Sequence, residues 1–269
     1  MWNLHNIGKL RGSDMLAIER KNEILDKLRA EQRVLVSDLA EYYNVTEETI
    51  RRDLDKLEKE GYATKTYGGA ILGNSTKTDL SYTIRNKTNV EAKTQIAALA
   101  SRLIEDGDHL MLDDSSTSLY LAKKLKEKKN LTVITNSVEL VVELNGVEGW
   151  TIILTGGRLK PDSLALVGDQ TQQMLRHYHV DKVFMSCKGI DLEAGVTDSS
   201  EFHAQTKQSM LRCAKKKILI LDSSKIDKVS FIDIAPLDAF DIVVTNTAPS
   251  KPWLDFFADH NVECLYPGK

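Results

Sequence analysis

The sequence predicts an α/β domain, built on a mostly parallel sheet flanked by helices, behind a small N-terminal unit of three helices and a β-hairpin. Three observations carry that reading. From about residue 89 onward, short apolar runs alternate with helical stretches, the pattern of βαβ units. Between Met15 and Leu72, helix-spaced apolar residues lead to a capped helix and a Gly-Gly hairpin. A polar, turn-rich stretch, Gly73 to Thr78, stands between the two as a plausible hinge. The expected division is a tail over 1–14, the small unit over 15–72, a linker over 73–88 and the α/β domain over 89–269.

Composition narrows the class. Hydrophobic residues make up 42% of the chain and charged residues 28%, values of a protein that buries an ordinary core. No apolar run reaches the ~18 residues of a membrane span, and the first 14 residues lack the apolar stretch of a secretory signal. Cys187, Cys213 and Cys264 are widely spaced and odd in number, with no histidines at metal-ligand spacing around them. Buried free thiols in a reduced cytoplasm are therefore expected, with no metal and no cofactor. Net charge is −3, and residues 15–74 carry 10 Lys plus Arg against 12 Asp plus Glu, a net of −2. Any contact with nucleic acid must come from local placement of cations.

Ile18, Ile24, Leu25 and Leu28 follow helical spacing and predict a first helix over Ala17–Ala30. Arg33 to Val36 is short, apolar and β-branched, which suits a brief strand. Ser37 can then cap a second helix with Leu39, Ala40 and Tyr43 on its inner face. Asn44-Val45 makes a turn, and Thr46 is a good N-cap for a third helix over Glu47–Glu60, closed by Gly61. Val45 and Ile50 stand at the two positions of a hydrophobic staple. Tyr62 to Leu72 reads as strand, Gly68-Gly69 turn, strand.

On the third helix Ile50, Leu54 and Leu57 form one stripe that must face the other helices, so Arg51 and Arg52 project away from the core. An arginine fork at that place can grip a guanine edge or a phosphate with two hydrogen bonds. Lys65 and Tyr67 sit near the hairpin tip, where a wing touches the phosphate backbone. The plainer reading is a three-helix bundle with solvated arginines. The full order of elements favours a winged helix-turn-helix that binds double-stranded operator DNA. That reading loses its footing if the two arginines turn inward or are engaged by their own carboxylate neighbours. Arg20, Ile24, Leu28, Thr46, Thr49, Ile50, Arg51, Arg52, Asp53 and Leu54 stand at the spacings of the DeoR-type repressor signature, and the segment resembles that family. The resemblance implies DNA contacts from Ser37, Thr46, Thr49, Arg51 and Arg52.

In the second domain a helix over about Asn89–Glu105 carries Ile96, Leu99, Ala100, Leu103 and Ile104 as its stripe. Candidate strands are His109–Asp113, Leu131–Thr135, Trp150–Thr155, Lys182–Ser186, Ile218–Asp222 and Ile242–Thr245. Helical patterns over Ser116–Leu125, Val138–Leu144 and Ser199–Ala214 fill most of the gaps. Such sheets bind ligands beyond the carboxyl ends of their strands. Asp113-Asp114-Ser115-Ser116-Thr117 follows the first strand and opens a helix, where free amides and hydroxyls can cradle a phosphate. Thr135-Asn136-Ser137 repeats the arrangement after the second strand, and Gly156-Gly157-Arg158 follows the third with close backbone approach and a fixed charge. Lys188-Gly189-Ile190-Asp191 follows the fourth and leads to Thr197-Asp198 and Glu201.

Each cluster has a bland counterpart. Polar residues after strands are common N-caps, and Asp198 and Glu201 have capping-box spacing. Lys123 to Lys129 is a solvated helix face rather than a basic patch. Convergence of four strand ends on one chemistry favours a small-molecule site. The order DDSST, TNS, TGGR, GID, GVTD, Glu201, then Asp222-Ser-Ser-Lys225, resembles the DeoR C-terminal sensor domain. That domain is similar in fold to ribose-5-phosphate isomerase, glucosamine-6-phosphate deaminase and coenzyme A transferases.

The resemblance implies a phosphorylated sugar as effector. Ser115, Ser116 and Thr117 would hold its phosphate, and Asp113, Asp191, Asp198 and Glu201 would meet hydroxyls or a carbonyl. Lys188, Arg158 and Lys225 would be cationic partners, with Thr135, Asn136, Gly156 and Gly157 completing the wall. Ser115 occupies a position where the family usually has glycine, which puts the phosphate pose in question. The expectation is a ligand-controlled repressor without enzymatic activity, assembled as a dimer or tetramer so that paired helices read paired half-sites. Two alternatives stay open: a sugar-phosphate isomerase with Asp198 or Glu201 as base and an accessory DNA module, and a winged helix used for protein contact.

Overall fold

The computed structural model describes residues 16–31, 33–59, 62–72 and 82–269. The expected tail over 1–14, the Gly61 closure of the third helix and the Gly73–Thr78 hinge lie outside these residues. The chain divides into two compact units, with the boundary between residues 80 and 81.

The N-terminal unit runs α1 (Ala17–Glu31), β1 (Arg33–Leu35), α2 (Val36–Tyr43), α3 (Glu47–Lys59), β2 (Ala63–Thr66) and β3 (Gly69–Leu72). Its three strands form one antiparallel sheet in the order β1-β3-β2. Ile24, Leu25 and Leu28 of α1 pack with Leu39 and Tyr43 of α2 and Ile50, Leu54 and Leu57 of α3. These are the residues whose 3.6-residue spacing predicted the three helices, except that Ile18 of the predicted α1 stripe is exposed and Ala40 of α2 is only partly buried. Asn44 closes α2 in the left-handed region at φ 51, which asparagine tolerates well. The Thr46 hydroxyl caps α3 by accepting from Thr49 N at 3.3 Å.

Two local expectations are corrected. Helix α2 begins at Val36, so Ser37 lies inside its first turn, and its hydroxyl donates to the Asp38 carboxylate. The hairpin turns on Tyr67-Gly68, with Gly68 at φ 87, while Gly69 pairs with Thr66 and Leu35. A Cβ on Gly69 would stand 2.1 Å from Val34 O, so β1 can approach only a glycine here.

The C-terminal unit opens with α4 (Tyr82–Lys87), inside the stretch expected as linker, followed by α5 (Val90–Ala100). Alternation then gives β4 (His109–Leu112), α6 (Ser116–Lys124), β5 (Thr132–Thr135), α7 (Val138–Leu144) and β6 (Thr151–Leu154). A hairpin of β7 (Arg158–Lys160) and β8 (Ala165–Val167) leads to α8 (Asp169–Leu175) and β9 (Val180–Met185). Next come β10 (Gly189–Asp191), β11 (Gly195–Asp198), α9 (Glu201–Leu211), β12 (Ala214–Ile220) and β13 (Ile232–Ala235). The unit ends with β14 (Ile242–Val244), α10 (Lys251–Asp259) and β15 (Glu263–Leu265).

All six predicted strands join β15 in one seven-stranded sheet, ordered β15-β14-β12-β9-β4-β5-β6, and every pairing is parallel. Successive side chains alternate faces, so each strand feeds two cores. Leu110, Leu112, Val133, Phe184, Ile218 and Val244 pack with α5, α6 and α7 on one face. Met111, Ile134, Val183, Met185, Leu219 and Val243 pack with α8, α9 and α10 on the other. Strands β10, β11 and β13 form a separate antiparallel sheet. The chain winds outward from β4 to β5 and β6, then returns to the other side of β4 for β9 and its successors. The crevice beyond the carboxyl ends of β4 and β9 is therefore the topological switch point, the favoured ligand position in such sheets. Among the described residues no helix is long and apolar enough to cross a membrane.

Candidate functional site

The outward face of the N-terminal unit carries Arg51 and Arg52 at the start of α3, as the apolar stripe requires. They are not unengaged. Arg51 Nη2 lies 2.8 Å from Glu47 Oε2, and Arg52 Nε lies 3.3 Å from Glu48 Oε1. This is the arrangement that counts against the DNA reading, so its strength decides the matter. Both are i,i+4 pairs with every partner more than half exposed. Pairs of that kind contribute about 0.3–0.5 kcal/mol, less than an arginine gains from a phosphate or a base edge. The arginines remain available to a duplex, with the two glutamates displaced.

The wing departs further from expectation. The Lys65 ammonium is bonded to the Asp55 carboxylate of α3, and Lys65 N donates to Glu58 Oε1 at 2.8 Å. Tyr67, at the turn itself, is fully exposed. Beneath α3, Arg20 Nε donates to Asp53 Oδ2 at 2.7 Å, and both side chains are buried. One acid of the module's surplus is thus spent internally, tying α1 to α3.

In the C-terminal unit the switch-point crevice gathers residues from five elements. Asp113, just past β4, bridges it: Oδ2 accepts from Ser186 N beyond β9 at 2.9 Å, and Oδ1 accepts from Ser118 Oγ at 2.5 Å and Ser115 N at 3.2 Å. Ser115 caps α6 by accepting from Ser118 N, at φ −74 and ψ 149. That backbone suits any residue, so serine in place of glycine imposes no strain. Thr135 Oγ1 donates to Leu112 O at 2.7 Å and ties β5 to β4. Asn136 Nδ2 donates to Leu166 O at 3.1 Å. Lys225 Nζ, from beyond β12, reaches Ser186 Oγ at 2.8 Å.

Three polar atoms at adjacent strand ends are buried with no protein partner: Thr117 Oγ1 after β4, Asn136 Oδ1 after β5 and Thr155 Oγ1 after β6. Thr117 is only 1% exposed. A buried orphan of this kind costs about 1–3 kcal/mol, and these three stand at the ends of neighbouring strands; His203 Nε2 and, after β14, Thr245 Oγ1 are buried without a partner as well.

Two charge groups flank these atoms. On one side Lys207 Nζ of α9 lies 2.6 Å from Asp198 Oδ2 and 3.5 Å from Asp113 Oδ2, while His203 Nδ1 lies 3.2 Å from Asp114 Oδ2. Burial disfavours the Lys207 ammonium, but Asp198, Asp113 and Asp114 overcome it and hold the group above its usual range. Burial likewise works against charge on Asp114 and Asp198, and the neighbouring cations win, keeping both carboxyls below their usual range. On the other side lies a group of cations. Lys93 of α5, 4% exposed, is pulled down to about 8 by burial and by the charges of Lys225, Arg85 and Lys188, with Asp222 opposing them.

Several expected contributors are not brought into the crevice. Asp191 accepts from Glu193 N and Ala194 N and builds the β10–β11 turn. Glu201 is exposed and bonded to Gln205, and Ser200 rather than Asp198 is the N-cap of α9, so no capping box forms. Gly156 O accepts from Thr171 Oγ1 of α8 at 2.6 Å. A Cβ on Gly157, at φ 129, would lie 2.2 Å from that hydroxyl, so packing on α8 accounts for Gly157 without a ligand, whereas a Cβ on Gly156 would meet nothing within 4 Å. Arg158 stacks over Phe202 at 5.0 Å.

The DeoR-like helix-turn-helix domain model matches residues 20–76, and the DeoR C terminal sensor domain model matches residues 88–247. The chain belongs to the DeoR family. It is a helix-turn-helix transcriptional regulator with a C-terminal sensor domain. It is 39% identical over 233 residues to the uncharacterized regulator YulB of Bacillus subtilis, covering 87% of this chain and 90% of that one. It is 37% identical over 247 residues to the transcriptional repressor GlcR of the same organism, covering 92% and 95%. The ribose 5-phosphate isomerase of Methanocaldococcus jannaschii aligns over 52% of this chain and 55% of that one, at 18% identity and a TM-score of 0.38. So distant a likeness says nothing about the site.

In this DeoR-family sensor the residues that sequence reading missed are Lys207, His203, Lys93 and Arg85. The first two lie inside a predicted helix, where charged residues normally face water. A usable signal was present: His203 and Lys207 stand four residues apart and so share one face of the predicted helix. Nothing in the sequence alone places α4 or α5 beside the strand ends.

Proposed function

We propose that this DeoR-family regulator represses genes of sugar metabolism, and that a phosphorylated sugar in the switch-point crevice controls its hold on operator DNA. The observation that carries the effector reading is the row of orphaned polar atoms on Thr117, Asn136 and Thr155 after β4, β5 and β6, with Lys207 reaching Asp113 after β4 and Lys225 reaching Ser186 after β9 as nearby cations. The first-turn amides of α6 at Ser116 and Thr117, with those cations, suit a phosphate. The Asp113, Asp198 and Lys207 group offers acceptors and a donor to hydroxyls or a carbonyl. Repression rather than activation follows the example of GlcR, a transcriptional repressor. The buried free thiols of Cys187, Cys213 and Cys264 suit a reduced cytoplasm.

Thermal melting with inorganic phosphate, pentose and hexose phosphates, and the same sugars without phosphate tests the effector class. A phosphorylated sugar is expected to raise the melting temperature, and its parent sugar is not. Thr117→Val is expected to remove most of that rise, while the ligand-free melting temperature stays level or increases, because the lost hydroxyl had no partner. A panel in which no anion shifts the melt rejects the reading.

On DNA, Arg51 and Arg52 would read or grip the duplex, Ser37, Thr46 and Thr49 would meet phosphates at the ends of α2 and α3, and Lys65 and Tyr67 would contact the backbone from the wing. A dimer or higher assembly places two such modules on paired half-sites. Arg52→Ala is expected to weaken operator binding by about 1–3 kcal/mol if it reads a base. A gel-shift titration with unchanged affinity removes Arg52 from the interface. Binding that ignores salt concentration would favour a protein partner instead, because phosphate contacts release counterions.

A further inference from the structure

Each cation placed at the DNA face of the N-terminal unit already holds a carboxylate of α3. Arg51 Nη2 lies 2.8 Å from Glu47 Oε2, Arg52 Nε lies 3.3 Å from Glu48 Oε1, and the Lys65 ammonium is bonded to Asp55. Glu47 and Glu48 occupy the first turn of α3, directly after the Thr46 cap. A bare helix N-terminus attracts phosphate, and two carboxylates in its first turn repel it. Helix stabilisation alone accounts for acids in a first turn and for i,i+4 pairs, but not for the third pair. Asp55 and Lys65 belong to different elements, α3 and β2, ten residues apart. One acid is therefore matched to one cation twice along the helix and once across to the wing.

We infer that Glu47 and Glu48 are specificity-determining residues of the DNA interface: they withhold Arg51 and Arg52 from the phosphates of non-cognate DNA and meet base amino groups, cytosine N4 first, at a cognate site. The inference rests on the DNA reading of the two arginines above and adds what their partners do. Non-specific binding comes almost entirely from cations meeting phosphates. Here an arginine reaches a phosphate only by leaving its glutamate, and i,i+4 spacing keeps that carboxylate close by, with about 5–6 Å between the two Cβ atoms. A random duplex offers the released carboxylate further phosphates and nothing to bond. A cognate major groove offers it an amino donor, since cytosine N4 donates to Glu or Asp while an arginine fork takes O6 and N7 of guanine. The repulsion then falls on wrong sequences alone, which discriminates without requiring added affinity for the right one. All four side chains are more than half exposed, so the exchange opens no packed core.

Selection from a randomised duplex library by the full-length protein supplies the cognate site, and fluorescence anisotropy compares it with random-sequence duplex. Glu47→Gln combined with Glu48→Gln keeps the size of both side chains and removes both charges. At about 0.1 M salt the double variant is expected to bind random duplex about tenfold tighter and the cognate site at most about twofold tighter. The log–log salt slope on random duplex is expected to steepen by about 0.9 for each arginine freed to a phosphate. Selection with Glu48→Gln is expected to relax a cytosine preference toward adenine, whose N6 and N7 suit glutamine. Glu31→Gln, at the end of α1, removes one charge from the same unit and is expected to change random-duplex affinity by less than about twofold. If it matches the α3 variants charge for charge, bulk repulsion explains the gain and the inference falls. If the double variant leaves random-duplex affinity and the selected sequence unchanged while Arg52→Ala weakens binding, the glutamates only stabilise the helix, and the arginine reading stands without them. If no duplex is enriched, or if Arg52→Ala and the double variant both leave binding unchanged, the reading of α3 as the DNA face falls as well.

Discussion

Asp53→Ala is expected to cost the N-terminal unit about 3–5 kcal/mol, enough to leave a domain of this size largely unfolded. Asp53 Oδ2 accepts from Arg20 Nε at 2.7 Å with both side chains buried, so removing the carboxylate strands a guanidinium in an apolar setting. The pair joins α1 to α3 on the side away from Arg51 and Arg52, and it fixes the direction in which those arginines project. Desolvating two charges is itself expensive, so Arg20→Met combined with Asp53→Leu is expected to recover most of the loss. Urea unfolding followed by far-UV circular dichroism resolves the result, because the sensor domain's own transition serves as the internal reference. A single variant that unfolds with the wild type would mean that water already reaches the pair, and the account of how α3 is oriented would have to be abandoned. The same pair explains how an acidic module binds DNA. Asp53 is consumed inside, Asp55 is bonded to Lys65, and Glu47 and Glu48 hold their arginines only weakly at the surface.

The parallel sheet was legible in the sequence because its strands are buried on both faces and read as unbroken apolar runs. Leu110–Leu112, Ile218–Ile220 and Ile242–Val244 are of this kind. The elements that escaped are those without such a run. Strands β7, β8 and β10 have three residues each, and β7 is largely exposed. Strand β15, Glu263–Leu265, joins the sheet at its edge and buries little more than Cys264. Helix α4 has no amphipathic stripe to announce it and is held by backbone carbonyls instead. At the candidate site, polar residues next to strand ends could be singled out because topology dictates where strand ends lie. Asp113, Thr117, Asn136, Asp198 and Lys225 all reach the crevice from such places. Asp191 was misread because an aspartate that folds a hairpin and one that meets a ligand look alike until the turn amides are seen.

Lys207→Met should destabilise the sensor domain by about 3–5 kcal/mol near neutral pH and reverse the sign of its pH dependence. In the wild type Asp114 and Asp198 are held below their usual range, the effect of burial being overcome by His203 and Lys207 respectively. A carboxyl depressed in the folded state contributes stability above its unfolded value, about 4, and loses it as pH falls through the folded value. Removing the Lys207 ammonium leaves Asp113, Asp114 and Asp198 close together and buried, with the His203 ring still against Asp114. Desolvation and mutual repulsion then raise at least one carboxyl above its ordinary value. Such a group stabilises the fold below about pH 4 and withdraws that stability as pH rises through its raised value. The gap between variant and wild type should therefore be widest near pH 7.5 and narrow toward about pH 4.5. Trp150 and Trp253 both lie in this unit, so urea midpoints from tryptophan fluorescence in a Trp2→Phe background report on it alone. Equal losses at the two pH values would mean that Lys207 acts through packing of its stem rather than its charge. The acids at the crevice would then have to be kept ionised by His203 and backbone amides, and Asp113 would owe its position to Ser186 and Ser118 alone.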